Sequence, residues 1–152
     1  MELTSKVIND AESFAAFRSL LQSANLPADD LDFNKHMLIG FYDGINPVAT
    51  GGLEIYNQFA LLRSLSVKFG IRGQSLGSSI TEQLIEHARA NNISSIYLLT
   101  ETAHAFFLKR GFQDVPREDV PTEIKASSEF NHVCPTSAVC MVYKVLSLKS
   151  NI

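Results

Sequence analysis

Residues 61–77 constrain the fold more than any other stretch. Leu61-Leu62-Arg63-Ser64-Leu65-Ser66-Val67 reads as a strand, Ile71-Arg72-Gly73-Gln74-Ser75-Leu76-Gly77 as a turn of small and polar residues, and a long amphipathic helix follows. A turn of that kind at a helix start can aim several unpaired backbone N–H groups at a pyrophosphate, with the positive end of the helix dipole behind them; the alternative is an ordinary strand-to-helix connection. The amides of Gln74 to Ser78 are the expected donors, each charge-assisted bond contributing about 1.5–3 kcal/mol. Two other phosphate signatures fail. A Walker A site needs Gly-Lys-Ser/Thr, which is absent, and Ser75 breaks the glycine spacing of a dinucleotide fingerprint.

The flanks of this segment set the fold class. Lys6 to Ile8 is a short first strand, and Asp10 is placed to cap a helix through Ala24, with Phe14, Phe17, Leu20, Leu21 and Ala24 on one stripe. Leu26-Pro27 ends it, and a second short helix is admissible around Asp30-Leu31. His36 to Tyr42, Val48 to Tyr56 and Phe59 to Val67 read as three strands joined by the turns Asp43–Pro47 and Asn57-Gln58, an antiparallel meander. Leu76, Ile80, Leu84 and Ala88 then recur at four-residue spacing through a helix to Asn91. Ile96 to Thr100 is an apolar run suited to a strand buried on both faces. Thr102 is the expected cap of a helix over Ala103 to Arg110 that Gly111 ends, with a strand beginning at Phe112. Pro116 to Phe130 reads as an inserted helix and Ser137 to Val145 as the last strand. The class is therefore α/β with a mixed sheet, in one domain over residues 1–146 followed by a tail, 147–152.

Composition excludes several functions. With 13 basic and 16 acidic residues and a net charge of -3, the chain carries no global attraction for nucleic acid or an anionic membrane. Cys134 and Cys140 lie six apart without a second pair at zinc spacing, so no metal is expected and both read as buried, inert thiols. The start, Met1-Glu2-Leu3-Thr4-Ser5-Lys6, has neither a basic segment nor an apolar core of a signal, and no run of about 18 apolar residues occurs. A cytoplasmic location is expected.

The element order, together with Leu65-Ser66-Val67, the Arg72–Gly77 turn and Phe106-Phe107-Leu108-Lys109-Arg110-Gly111-Phe112, resembles the GNAT superfamily of acetyl-CoA-dependent N-acetyltransferases over nearly the whole chain. The family's turn reads Gln/Arg-x-x-Gly-x-Gly/Ala. Arg72 and Gly77 match, whereas Ser75 stands where glycine is usual. A serine at positive φ costs about 1–3 kcal/mol, so either Ser75 stays at negative φ or its hydroxyl donates a bond that offsets the strain. Within the family, Pro116-Arg117 through Pro121, Ile124 to Phe130 and Cys134 to Met141 resemble the acetyltransferases encoded with arsenic-resistance operons, the ArsN group. Arg63-Ser64 is also similar to the acetyltransferase domain of N-acetylglutamate synthases. Both likenesses imply a small amino-acid-like amine as acceptor.

The resemblance implies a GNAT fold with a splayed central strand pair and helices on both faces. It places acetyl-CoA against Leu65, Ser66, Val67, Arg72, Gly73, Gln74, Ser75, Leu76, Gly77 and Ser78, with the Val67 N–H as donor to the developing oxyanion. A tyrosine usually stands four residues before the helix-ending glycine to protonate the leaving thiolate. Here that residue is Phe107, left to pack against the coenzyme. Glu54 is the first choice for a general base acting through water, with Glu101 and His104 competing. Arg63 is placed to fork a substrate carboxylate, or else to pair with a structural Glu; strand alternation sets it on one face with Leu65 and Val67 if no bulge intervenes. Tyr56 and His104 are candidate substrate contacts, with a core role open for Tyr56 and a surface role for His104. The alternatives to a small-amine acetyltransferase are a peptide or protein amine acetyltransferase and a non-catalytic acyl-CoA sensor, and the final strand offers an edge for a homodimer.

Overall fold

The computed structural model describes residues 3–68, 76–127, 130 and 137–145. In chain order the elements are β1 (Leu3–Val7), α1 (Ala11–Ser23), β2 (Met37–Asp43), β3 (Asn46–Tyr56), β4 (Phe59–Val67), α2 (Leu76–Ala90), β5 (Ser95–Thr100), α3 (His104–Lys109), β6 (Gln113–Asp114), α4 (Thr122–Lys125) and β7 (Val139–Lys144). The seven strands form one mostly antiparallel sheet in the order β1-β2-β3-β4-β5-β7-β6. The chain gathers into two compact units, one from Met1–Glu54 with Arg63–Leu84, the other from Ile55–Leu62 with Ile85–Ile152.

In the first unit β1 pairs antiparallel with β2 from Leu3↔Asp43 to Val7↔Ile39, and β2 with β3 from Met37↔Leu53 to Asp43↔Asn46. The second ladder shifts register between Phe41 and Tyr42, where Pro47 stands opposite Tyr42; a residue without an N–H is tolerated where the ladder is already broken. Helix α1 starts as its sequence dictates, the Asp10 carboxylate accepting from the Ser13 N–H at 2.7 Å. Its Phe17 and Leu21 are buried with Ile8, Ala28, Leu31 and Leu38, and Phe14, Leu26 and Phe33 pack around them. Full burial of each large apolar side chain contributes about 1.5–3 kcal/mol. Gly51 of β3 leaves room for α2, since a Cβ there would lie 2.7 Å from the Leu84 side chain.

The second unit contains the one parallel pairing among the described ladders, Phe59–Leu61 of β4 beside Ser95–Tyr97 of β5. That ladder covers three residue pairs, while β5 continues along β7 from Ser95↔Lys144 to Thr100↔Val139. Leu61, Tyr97, Val120, Ile124, Cys140 and Val142 form its core, with Tyr56, Phe59, Leu99, Val115 and Phe130 packed against them.

Three helices end alike. Asn25 and Asn92 take φ of 59° and 62°, and Gly111 takes 95°. In each case that residue's N–H bonds three residues back and the next N–H five residues back: Leu26 to Leu21, Ile93 to Ala88, Phe112 to Phe107. This double closure satisfies carbonyls left over at a helix end.

Three local expectations are overturned. No helix forms at Asp30-Leu31, because Asp32 turns the backbone instead: its carboxylate accepts the Asn34 N–H at 2.9 Å, and its carbonyl accepts the Lys35 and His36 N–H groups. Thr102 does not cap α3. The residue preceding α3 is Ala103, with no side-chain cap, and the Ala103 N–H donates to Thr100 Oγ1 at 2.9 Å. Within residues 116–127 there is a short 3-10 turn, Arg117–Asp119, and the four-residue α4, where one longer helix was expected. Pro121 pushes Val120 to an extended ψ of 139° and interrupts the helix.

Candidate active site

Glu54 near the end of β3 and Arg63 in β4 are 2% and 3% exposed. Charges buried so deeply require partners. Arg63 Nη1 donates to Glu54 Oε2 at 2.7 Å and to Asp30 Oδ2 at 2.5 Å; Nη2 donates to Asp30 Oδ1 at 2.8 Å, and Nε to Ser64 Oγ at 3.3 Å. The forked contact with a substrate carboxylate expected for Arg63 is thus made in this structure with the protein's own Asp30, while Glu54 takes the structural-partner role that the sequence left open.

Asp30 arrives from the segment after α1, where the buried Ala28 and Leu31 on either side anchor it in the first core. The Leu31 N–H closes on the Ala28 carbonyl at 3.3 Å. Burial pushes the Asp30 carboxyl up, but the hydrogen bonds and charge of Arg63, with a smaller contribution from His36, outweigh it and leave the group below its ordinary value. His36, just before β2, completes the cluster. Its Nδ1 accepts the Asp32 N–H at 3.2 Å, so a neutral ring carries its proton on Nε2, which faces Glu54 Oε1 at 4.0 Å.

Ser64 shapes β4 beside Arg63. It is buried and holds φ at 62°, a conformation that costs a non-glycine residue about 1–3 kcal/mol. Thr50 Oγ1 donates to its carbonyl at 2.6 Å and fixes the distortion. Residues 60–64 are buried in succession, followed by a half-buried Leu65, a buried Ser66 and a half-buried Val67. The left-handed φ of Ser64 interrupts the extended backbone between Arg63 and Leu65, so simple alternation does not carry across that position.

Of the expected coenzyme contacts, Arg72, Gly73, Gln74 and Ser75 lie outside the described residues. Leu76, Gly77 and Ser78 form the first turn of α2, with Leu76 buried and the other two half-buried. No acidic residue occupies that turn, and Thr81 Oγ1 donates to the Gly77 carbonyl at 2.7 Å. The first amides of a fifteen-residue helix, without a competing carboxylate, suit a pyrophosphate.

In the second unit the remaining candidates have structural partners. Phe107 is 5% exposed and packs edge-on against Phe106 and Phe112, with ring centroids 5.0 and 5.3 Å away. Tyr56 lies against the second core. His104 Nε2 meets Asp114 Oδ1 at 2.6 Å at the surface, and Glu101 accepts from Ser137 Oγ at 3.1 Å. Cys140 is buried, and burial pushes its thiol up to about 11, against a smaller opposing effect of Arg117; Cys134 lies outside the described residues. Sequence reasoning missed Asp30, His36 and the left-handed backbone at Ser64. The acidic run Asp29-Asp30-Leu31-Asp32 is a faint signal, because only apolar neighbours that sink into a core, as Ala28 and Leu31 do, carry an acid inward with them.

The model of the acetyltransferase (GNAT) family matches residues 6–112. The chain belongs to the GNAT acetyltransferase family. This is the family that the sequence resembles. Solved structures share the GNAT fold at low identity. An N-acetylglutamate synthase from Neisseria gonorrhoeae, complexed with coenzyme A and N-acetyl-glutamate, superposes with a TM-score of 0.77 at 14% identity over 96% of this chain and 36% of its own. The chain thus spans about a third of that relative. A GNAT-family acetyltransferase from Staphylococcus aureus gives 0.74 at 18% identity over 95% of this chain and 100% of its own. The ribosomal-protein-S18-alanine N-acetyltransferase from Escherichia coli gives 0.69 at 14% identity, covering 99% of both chains. Among the described residues no helix of this GNAT protein is long and apolar enough to cross a membrane.

Proposed function

We propose that this GNAT enzyme transfers acetyl from acetyl-CoA to the primary amine of a small, amino-acid-like metabolite or toxin by direct attack in a ternary complex. The observation that carries the reading is Glu54: a carboxylate buried at the end of β3, with one oxygen held by Arg63 and the other facing His36. Held so, Glu54 accepts the amine proton through a water, the β4 backbone at Val67 faces the thioester carbonyl oxygen, and the first turn of α2 meets the pyrophosphate. With Asp30 in the fork of Arg63, the role we assign to Arg63 is to brace Glu54. The buried, stacked Phe107 supplies no acid, so the coenzyme thiolate takes its proton from water or from another side chain. Near neutral pH that thiolate is stable enough to leave without a dedicated acid.

The likeness to an enzyme complexed with N-acetyl-glutamate supports an amino-acid-like acceptor, as does the resemblance of residues 116–141 to the arsenic-resistance-associated group. A second reading, acetylation of a peptide or protein amine, is supported by the likeness to the S18-alanine acetyltransferase. Thiol release measured against a panel of amino acids, polyamines and N-terminal peptides separates the two. Turnover confined to peptides overturns the small-acceptor reading, and tight coenzyme binding with no turnover on any amine would indicate a sensor. Glu54→Gln is expected to lower kcat near neutral pH by about 100-fold or more while leaving KM for acetyl-CoA unchanged. An unchanged rate removes Glu54 as the base.

A further inference from the structure

The cluster around Arg63 contains one more carboxylate than bracing requires. A single guanidinium serves both Glu54 and Asp30, and its Nη1 is shared between them at 2.5 and 2.7 Å, so the two carboxylates lie within about 5 Å of one another. We propose that Asp30 is a positioning residue that keeps Glu54 basic: by engaging Nη1 and Nη2 of Arg63, it leaves Glu54 a partly neutralised guanidinium in place of a full positive charge. The proposal rests on the reading of Glu54 as the base.

A carboxylate facing a buried arginine alone is a poor base, because the charge that holds it in place also stabilises its ionised form. A second carboxylate on the same guanidinium reverses part of that effect without loosening the geometry. Among the described contacts, Glu54 meets the Arg63 guanidinium from β4 and the His36 imidazole from just before β2, with the Asp30 carboxylate of the 26–36 segment across Arg63. The His36 ring accepts the Asp32 N–H on Nδ1, and among the described contacts the carboxylate that shares the Arg63 guanidinium with Glu54 is Asp30. The backbone carrying Asp30 is pinned by Ala28 and Leu31 in the first core, which makes the contact part of the fold.

The test is a titration of the Glu54 side-chain carboxyl by carbon NMR, identified by its loss in Glu54→Gln, in the wild type, Asp30→Asn and Asp30→Glu. Asp30→Asn keeps the shape and removes the charge, and should move the Glu54 midpoint down by about one pH unit. Asp30→Glu should return it to near the wild-type value. An unchanged or raised midpoint in a cooperatively folded Asp30→Asn overturns the proposal. Loss of a cooperative melt in both Asp30→Asn and Asp30→Ser also overturns it, by making Asp30 a purely structural partner. The base reading is judged separately, by acetyl transfer to the amine panel: an active Glu54→Gln with a shifted Asp30→Asn titration removes the base but leaves the electrostatic control standing. An inactive Glu54→Gln with an unshifted titration does the reverse.

Discussion

Around Arg63 the chain buries charge; around Phe107 it buries hydrocarbon. Both places carry residues that the sequence nominates for chemistry, and the comparison shows how differently the two kinds of burial are achieved. Phe107 needs only neighbours of the right shape, and it finds Phe106 and Phe112 within five positions along the chain. Arg63 needs acceptors of opposite charge in a set geometry. It draws them from nine and 33 residues away, Glu54 on an adjacent strand and Asp30 on a loop. The aromatic stack is nearly a local event, whereas the charged cluster exists only once the first unit has closed.

The largest effect that tests this contrast is expected from Arg63→Ala. It strands two carboxylates and should cost about 3–5 kcal/mol in urea unfolding at neutral pH. The loss should shrink on acidification as the carboxylates take up protons. A cost independent of pH would mean that Arg63 contributes packing, like the phenylalanines.

Cys140 reports on the apolar side. With its thiol pushed up to about 11 from an ordinary 9.0, its thiolate fraction at pH 8 is about a hundredfold lower than that of a free thiol, and alkylation of the folded protein in a Cys134→Ser background should slow to match. Rapid alkylation would show that this core is open to solvent.

Phe107→Tyr places in the stack the hydroxyl that the family usually carries there. Buried without a partner, it should cost about 1–3 kcal/mol and leave the acetyl-transfer rate unimproved. A faster variant would instead place this residue at the leaving thiolate and dissolve the contrast.

The smallest effect is the acid response of Asp30. Its folded pKa lies below the unfolded value near 3.8, so its contribution is fully present above that value and is lost as pH falls through the depressed folded pKa. Melting temperatures of the wild type should therefore drop more steeply below pH 4 than those of Asp30→Asn. Parallel curves would detach Asp30 from the stability of the cluster.

Much of the fold was legible because it is decided within a few residues. Asp10 caps α1, Gly111 ends α3, and the Phe59–Val67 strand has the expected limits, each following from a side chain acting on its own backbone or from an unbroken apolar run. Errors occurred where local signals competed. Asp32 turned a segment that had room for a helix, and Pro121 divided one that was read as continuous.

The candidate site divides along the same line. Glu54 and Arg63 were nominated by their strand positions in the family resemblance, which left a solvent-facing Glu54 and a structurally paired Arg63 open; both are buried. Their mutual pairing, the arrival of Asp30 and His36, and the positive φ at Ser64 were not legible, since an ion pair leaves no periodic trace in the sequence and positive φ at a serine is enforced by its surroundings, here the Thr50 hydroxyl on its carbonyl.

By itself, then, the sequence determined most of the order of strands and helices, the helix ends at Asp10 and Gly111 and the acetyltransferase family, because these rest on interactions between near neighbours and on a motif contiguous in the chain. Tertiary structure alone decided which acid meets Arg63 and which face of β4 each residue takes, because a buried charge is settled by whichever partner the closing core brings within hydrogen-bonding distance.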